Sequence, residues 1–306
     1  MSALDHVFLT RFNLPSPGAE SLIRSREGWL RGRVDLFETY CLPSVRAQTS
    51  QRFRWIIYFD PDSPAWLMTW ISSHASGGVF SPIFRAAVPR GELIADIGSL
   101  IGSSRARLLT TNLDNDDALA VDFVERVQAV AAGDTRTAIY LANGLIKAPN
   151  GLFRRVDRQN AFCSVAEPWE APVTCWSDWH NRLHLAMPVI TLSGDPGWLQ
   201  VVHGSNVSNR VRGVRVSPGP YLELFPQLLD DVPRVGPAAL IVDSVVAGPV
   251  RMVRDGMRAI TKAVVLTILG KEGLSRVAAA LAGLRDRVRR AVSADPDSSA
   301  TRGQKS

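Results

Sequence analysis

Three carboxylates lie within four residues at Asp114-Asn115-Asp116-Asp117, directly after a run that reads as a buried strand, Leu108 to Thr111. Like charges this close repel one another, and burying them without a partner is costly. A divalent cation such as Mg²⁺ or Mn²⁺ would relieve the repulsion, because it takes one or two carboxylates together with substrate phosphates. The cluster therefore predicts a metal site that serves a phosphate-bearing ligand.

A helix cap is the alternative interpretation of the same residues. An apolar stripe at helical spacing runs from Leu119 to Val130, so Asn115 or Asp116 could cap that helix, whose first turn favours acidic side chains. A cap needs one carboxylate rather than three. The carboxyl end of a strand in an α/β sheet is also where ligands bind, which favours the metal site.

Strand-like and helix-like segments alternate four times before residue 130. Strands are predicted near residues 4–10, 52–60, 79–84 and 108–111, and helices near 29–47, 65–74, 92–101 and 119–130. Pro43 should break or kink the first helix. This alternation is typical of an α/β fold with a mostly parallel sheet and helices on both faces. Turns multiply afterwards, and Asn150-Gly151 predicts a hairpin within a smaller mixed or antiparallel layer.

The net charge of +6 is unevenly distributed over the 306 residues. Residues 251–306 carry 12 Lys and Arg against 5 Asp and Glu, a net of +7, so the remainder is close to neutral. A nucleic-acid-binding domain would carry its basic footprint on its main surface, so nucleic acid is not an expected partner. Residues 246–292 are predicted to form a basic amphipathic helical tail, and residues 293–306 to be disordered.

The tail has two interpretations. Its apolar stripe either packs on the core with a solvated basic face, or it lies on an anionic membrane surface. Three scattered cysteines indicate a reducing compartment rather than a disulfide framework. No signal peptide or long apolar span is evident, so we expect a cytoplasmic protein. If the tail binds lipid, the protein would also be peripheral at the inner face of the cell membrane.

A histidine follows a short apolar segment, predicted to be a strand, that begins at Trp198. The segment delivers His203 into Gly204-Ser205-Asn206, a loop that could offer backbone N–H groups to phosphate. An isolated histidine is usually structural or merely exposed. His203 gains importance as a metal ligand if the fold brings it close to the acidic cluster.

These residues resemble a known family. The strand followed by Leu113-Asp114-Asn115-Asp116-Asp117 is similar to the metal-site motif of GT-A glycosyltransferases, and more narrowly to the bacterial rhamnosyltransferase family. Residues 10–13, 43–49 and 202–206 share the resemblance, which covers residues 4–210. It implies a GT-A-like, Rossmann-like domain over residues 1–245, with a nucleotide-binding half (1–130) and an acceptor half (131–245).

The resemblance also implies roles for particular residues. Asp114 and Asp116 would form the Asp-x-Asp pair for Mn²⁺ or Mg²⁺, with Asp116 as direct ligand and Asp114 towards the ribose or sugar, and His203 would complete the metal site. The nucleotide-sugar-binding residues would be Thr10, Arg11, Asn13, Asp60, Asp114 and Asn115. The sequence leaves an inverting and a retaining course open, and an inverting enzyme needs a carboxylate that takes the acceptor proton. Asp178 is the first candidate for that base and Glu167 the second, although Asp178 is equally explicable as a first-turn acid.

The implied activity is transfer of a sugar from a nucleotide-diphosphate sugar to a glycan or lipid-linked acceptor. The family name implies rhamnose as the transferred sugar and dTDP-rhamnose as the donor, but no particular residue in the sequence indicates either. Two alternatives remain open: a nucleotidyltransferase, and a non-catalytic α/β domain that binds a nucleotide or partner. A nucleotidyltransferase usually has a glycine-rich phosphate loop near the first strand, and Ser16-Pro17-Gly18 is not such a loop.

Overall fold

A computed structural model describes residues 4–15, 28–102, 107–203, 211–243 and 245. All of them fall within the unit Met1–Gly248. The tail predicted at 246–292, the disordered end predicted at 293–306 and the loop at 204–206 lie outside the described residues. Membrane contact by the tail therefore stays a prediction.

Seven strands form the larger sheet, in the order β10-β6-β9-β4-β1-β2-β3. β9 is antiparallel to both of its neighbours, and every other neighbouring pair is parallel, so six of the seven strands run in one direction. The predicted α/β fold with a mostly parallel sheet is confirmed. The strands are β1 (Leu4–Arg11), β2 (Arg54–Phe59), β3 (Ser81–Phe84), β4 (Arg107–Asn112), β6 (Thr137–Leu141), β9 (Ser164–Pro168) and β10 (Val189–Leu192).

Helices cover both faces of this sheet. Alternate strand residues point to opposite faces, so neighbouring residues pack in different apolar clusters. Phe8 and Leu109 belong to one apolar cluster, with residues of α1, α2, α3 and α5. Leu9 and Leu108 belong to the opposite cluster, with residues of α4. The helices are α1 (Trp29–Leu36), α2 (Leu42–Arg46), α3 (Ala65–Ala75), α4 (Arg90–Ile101), α5 (Phe123–Val130) and α6 (Pro237–Val242).

The first helix passes through Pro43 instead of ending there. A π-helical segment, Phe37–Cys41, joins α1 to α2, and Pro43 falls in the first turn of α2. A proline lacks the N–H that an interior helical position would donate, and first-turn positions do not need it. The wider π-helical turn therefore absorbs the break that the sequence predicted.

The acidic cluster does not cap a helix. α5 begins at Phe123, six residues after Asp117, and the intervening chain forms a short strand, β5 (Ala118–Leu119). Leu119 belongs to the predicted helical stripe but packs from this strand. The cap interpretation therefore fails, and the carboxylates must be explained by their own contacts.

A second sheet of five strands has the order β12-β8-β7-β11-β5. The predicted hairpin at Asn150-Gly151 joins β7 to β8, with Gly151 at φ 134°. Trp198 packs so closely over Gly144 that a Cβ there would lie 2.0 Å from the indole ring. This close approach fixes β11 against β7. The remaining strands are β7 (Asn143–Ala148), β8 (Gly151–Val156), β11 (Trp198–Val201) and β12 (Val214–Val216).

A buried histidine on β1 should make the fold sensitive to acid. Burial lowers the pKa of His6 to about 3. Its Nδ1 accepts a hydrogen bond from Gln128 Nε2 at 3.1 Å and its Nε2 contacts Thr111 Oγ1 at 2.8 Å, so protonation of Nδ1 would break the first bond.

The stabilisation linked to neutral His6 is complete above its unfolded-state pKa of about 6.5 and is lost as pH falls towards 3. The free energy of unfolding should fall in that window by up to about 1.4 kcal/mol per pH unit from this group. Urea titrations at several pH values measure the slope. His6→Gln should be less stable at pH 8 but should show a shallower slope, and an unchanged slope would contradict the assignment.

Candidate active site

The acidic cluster sits at the carboxyl end of β4, beside the end of β1. Thr10 Oγ1 donates to Leu113 O at 2.7 Å, and Leu113 N donates to Leu9 O at 3.1 Å, so β1 holds the chain as it leaves β4. The chain then turns, with Asp117 N donating to Asp114 O at 3.3 Å. Asp114 is exposed, whereas Asp116 and Asp117 are buried. The three carboxylates therefore have different environments.

His203 reaches this cluster because β11 pairs with β5. The antiparallel register joins Leu199 to Ala118, and Val201 N donates to Asp117 Oδ1 at 2.8 Å. Two residues later His203 Nε2 lies 3.1 Å from Asp116 Oδ2. The structure thus brings together two predicted metal ligands that are 87 residues apart in the chain.

Arg33, which the sequence analysis did not identify, contacts the same carboxylate from α1. Its Nη1 lies 2.8 Å from Asp116 Oδ2 and donates to Asn115 Oδ1 at 2.8 Å. Asn115 Nδ2 in turn donates to Phe12 O at 2.7 Å. Nothing local in the sequence distinguishes Arg33 from Arg31, two residues earlier on the same helix.

These contacts give the three carboxylates different proton affinities. Burial opposes ionisation of Asp116, but the hydrogen bond with His203 and the charge of Arg33 outweigh it and lower its pKa. Burial, with repulsion from Asp116 and Asp114, raises the pKa of Asp117 well above its usual value. Desolvation of its carboxylate by the surrounding protein, followed by repulsion from Asp116, raises the pKa of Asp114, even though the residue as a whole is exposed. Asp116 is therefore the best placed of the three to carry a full negative charge.

Asp117 serves the fold rather than a ligand. Its Oδ1 accepts from Val201 N, and its buried Oδ2 has no hydrogen-bond partner within the described part of the chain. A neutral carboxylic acid fits this position, because burial and the two neighbouring carboxylates oppose ionisation more strongly than Arg33 favours it. Asp117 thus anchors β11, the strand that carries His203.

The site fits a divalent ion with two protein ligands. Two ligands about 2.1 Å from an ion and at right angles to each other lie about 3.0 Å apart. The 3.1 Å between Asp116 Oδ2 and His203 Nε2 matches that spacing as well as it matches a hydrogen bond. No group of three or more His, Cys, Asp and Glu side chains in the described ranges forms a ready cage. Further ligands would have to come from a substrate or water, as Mg²⁺ and Mn²⁺ sites on phosphates allow.

A cationic and aromatic wall stands beside Asp114. The Arg11 guanidinium lies 4.0 Å from the ring centroid of Trp176, an arrangement that favours a cation on an aromatic face. Trp176 Nε1 donates to Asn112 Oδ1 at 2.7 Å, and Asn112 Nδ2 lies 3.4 Å from Asp114 Oδ1. Arg11 is exposed, so this wall can meet a planar or anionic ligand.

The other predicted nucleotide-binding residues form the supports beneath this edge. Buried Thr10 also accepts from Trp55 Nε1 at 2.9 Å, so its hydroxyl is used within the core. Buried Asn13 accepts from Asp60 N at 3.0 Å and donates to Ser63 Oγ at 3.0 Å. Asp60 Oδ1 accepts from Asp62 N at 3.0 Å, and Asn115 bridges Arg33 and Phe12. Thr10, Asn13 and Asn115 are buried, and direct contact with a nucleotide stays a prediction for them.

The two candidate bases have opposite environments. Glu167 is fully buried, and its carboxylate accepts from Val173 N at 2.9 Å, Thr174 N at 2.8 Å and Arg136 Nε at 2.7 Å. Thr174 itself has a left-handed φ of 68°. The burial and hydrogen bonds of Glu167 indicate a structural anchor and disfavour it as the base. Asp178, four residues beyond Thr174, is exposed, with Oδ1 accepting from Trp179 N at 2.7 Å and Oδ2 lying 3.4 Å from Arg182 Nε.

Comparison with known sequences gives the family. Residues 5–215 match the family described as "Putative rhamnosyl transferase". The chain belongs to this family. It is a glycosyltransferase by that membership, and the matched range contains every residue of the site described above. No curated protein matches the chain, and no helix among the described residues is both long and apolar enough to cross a bilayer.

Solved structures with a similar arrangement share little sequence with the chain. A protein from Desulfovibrio desulfuricans G20 described as a "putative nucleotide-diphospho-sugar transferase" is 11% identical, with 66% of this chain and 83% of that chain covered and a TM-score of 0.33. S. aureus TarS 1–349 in complex with UDP is 11% identical over 77% and 68%, with a TM-score of 0.38. The T. maritima inositol-1-phosphate CTP transferase is 10% identical over 76% and 99%, with a TM-score of 0.36.

Proposed function

We propose that the enzyme transfers a sugar from a nucleoside-diphosphate sugar to a hydroxyl acceptor at the carboxyl edge of β4 and β1. The contact of Asp116 with His203, across 87 residues, carries this proposal. Two such ligands at a strand end, in a chain of a glycosyltransferase family, suit a diphosphate leaving group. dTDP-rhamnose is the first donor to test because of the family description.

Asp116 and His203 would hold a divalent ion, with Asp114 towards the sugar, and the ion would supply positive charge to the diphosphate leaving group. The imidazole nitrogen disfavours Mg²⁺, which prefers oxygen ligands, so Mn²⁺ is the better candidate. Arg11, stacked on Trp176, would hold the nucleotide part of the donor. Asn13 and Asn115 would act indirectly, by fixing the loops around the donor.

Asp178 is the candidate for the group that takes the acceptor proton. Trp176, two residues before Asp178, is held by its hydrogen bond to Asn112. His180 anchors the other end of this loop through hydrogen bonds with Gln159 O and from Tyr140 Oη. An exposed carboxylate on a pinned loop can meet an acceptor that arrives from solvent.

Trp179, next to Asp178, is 73% exposed. Three residues span at most about 11 Å, so the Trp179 backbone lies no farther than that from Trp176, about the length of two linked sugars. An exposed aromatic face suits the apolar face of a pyranose ring. We therefore assign Trp179 to the acceptor, which makes a glycan acceptor the favoured class.

Trp179→Ala should raise KM for the acceptor by about ten-fold, in line with loss of one aromatic contact, and leave donor hydrolysis unchanged. Steady-state kinetics with donor and acceptor varied separately make the distinction. Leu185→Ala is the control, because Leu185 is similarly exposed. An equal rise in donor KM, or no change in either, would contradict the acceptor role.

Hydrolysis of a panel of UDP-, dTDP- and GDP-sugars, with Mn²⁺ and with EDTA, tests the function as a whole. Release of nucleoside diphosphate with free sugar supports a glycosyltransferase. A second incubation contains a nucleoside triphosphate and a sugar phosphate, and release of pyrophosphate there would show a nucleotidyltransferase instead. No turnover of any donor, with nucleotide binding retained, would show a non-catalytic binding domain.

A further inference from the structure

The Arg33 guanidinium supplies a positive charge where the proposed divalent ion would bind. Its Nη1 lies 2.8 Å from Asp116 Oδ2, and His203 Nε2 lies 3.1 Å from the same oxygen. The oxygen that would bind a metal is therefore already in contact with two nitrogen donors. One of them is permanently charged, because arginine does not lose its proton in proteins.

The guanidinium is held there by more than its ion pair. Asn115 Oδ1 accepts from the same Nη1 at 2.8 Å, and the Asn115 amide is itself fixed by Phe12 O. The Trp29 ring lies 5.3 Å from the guanidinium carbon, and Arg33 Nε is buried without a partner among the described residues. Arg33 thus differs from a solvated surface ion pair, whose long side chain would be loosely held.

A metal ion and the guanidinium would compete for Asp116 Oδ2, because both are positively charged. The ion would lie about 2.1 Å from that oxygen, so its two charges would repel the Nη1 at short range. A diphosphate that arrives with the ion offers the guanidinium new partners. Arginine binds phosphate oxygens through two parallel N–H donors, which makes such an exchange favourable.

We propose that Arg33 is a resident cation that keeps metal off Asp116 until a nucleoside diphosphate arrives, and that it then pairs with the diphosphate. This inference rests on the proposed function for the nature of the ligand. It goes further in making metal and nucleotide binding interdependent through one residue. The nucleotide-free enzyme then binds metal weakly, and removal of the Arg33 charge strengthens that binding.

The test is a Mn²⁺ titration of nucleotide-free protein, followed by the electron paramagnetic resonance signal of unbound Mn²⁺. Arg33→Gln, which keeps a donor for Asn115, should bind Mn²⁺ about ten-fold more tightly than wild type, since a like charge next to the ion is removed. Arg33→Lys keeps the charge and should bind as weakly as wild type. Arg31→Gln removes the same charge from the same helix, where Arg31 lies over Trp66 at 4.4 Å, and should also match wild type.

Equal or weaker Mn²⁺ binding by Arg33→Gln overturns the resident-cation proposal, and so does equal tightening in Arg31→Gln. If Arg33→Gln binds no Mn²⁺ at all, the metal site of the proposed function fails as well. Equal affinities in wild type and Arg33→Gln overturn the Arg33 role alone. A crystal of wild type with Mn²⁺ and UDP or dTDP gives an answer even if Arg33→Gln does not fold. Arg33 should contact a phosphate oxygen there, and Arg33 still bonded to Asp116 would overturn the proposal.

Discussion

Asp116→Asn should lower kcat/KM by about 10³-fold, because an amide cannot carry the charge that holds a divalent ion. Asp116 is buried and has a lowered pKa, so at neutral pH it carries the charge that this role needs. Donor hydrolysis with saturating Mn²⁺ measures the loss. The shape of the side chain is retained, so the effect should fall on activity rather than on the fold.

Two controls separate the loss of a ligand from a loss of folding. Asp134→Asn makes the same change at an exposed turn and should leave activity unchanged. Circular dichroism and thermal unfolding should show that Asp116→Asn remains folded. Near-normal activity of folded Asp116→Asn with unchanged Mn²⁺ dependence would contradict the assignment of Asp116.

Asp178→Asn should lower the rate of sugar transfer by about 10²- to 10⁴-fold, the range expected when a general base is removed. Donor KM should stay the same, because Asp178 lies on the loop beyond Trp176 rather than beside Asp116. The measurement is kcat for transfer at saturating donor and acceptor.

Glu170→Gln is the matched control, since it makes the same carboxylate-to-amide change at an exposed residue eight positions before Asp178. It should transfer sugar at the wild-type rate. A transfer rate of Asp178→Asn within a few-fold of wild type would remove Asp178 as the base. A general loss in both variants would indicate disturbance of the loop instead.

The sheet and the proximity of His203 to Asp116 were predictable, for different reasons. Apolar runs such as the one in β4 are long and strongly patterned, so periodicity identifies them. The family resemblance linked His203 to the acidic cluster, and the 3.1 Å contact agrees with it. The sequence pattern could not show β5, which is only two residues long. Its pairing with β11 brings His203 close to Asp116.

The supporting roles were not predictable from residue type. Glu167 and Asp178 are both acidic residues beside turns, and only burial and hydrogen bonds distinguish an anchor from an exposed carboxylate. Arg33 looks like any basic residue on an amphipathic helix. Its importance depends on tertiary contact with Asn115 and Asp116, 82 residues away or more.

The most direct test of the metal–diphosphate site is the anomalous diffraction of Mn²⁺ in crystals grown with UDP or dTDP. We predict a peak within about 2.3 Å of both Asp116 Oδ2 and His203 Nε2, with phosphate oxygens among the other ligands of the ion. A bound nucleotide with no peak at Asp116, or a peak coordinated by other residues, would contradict it.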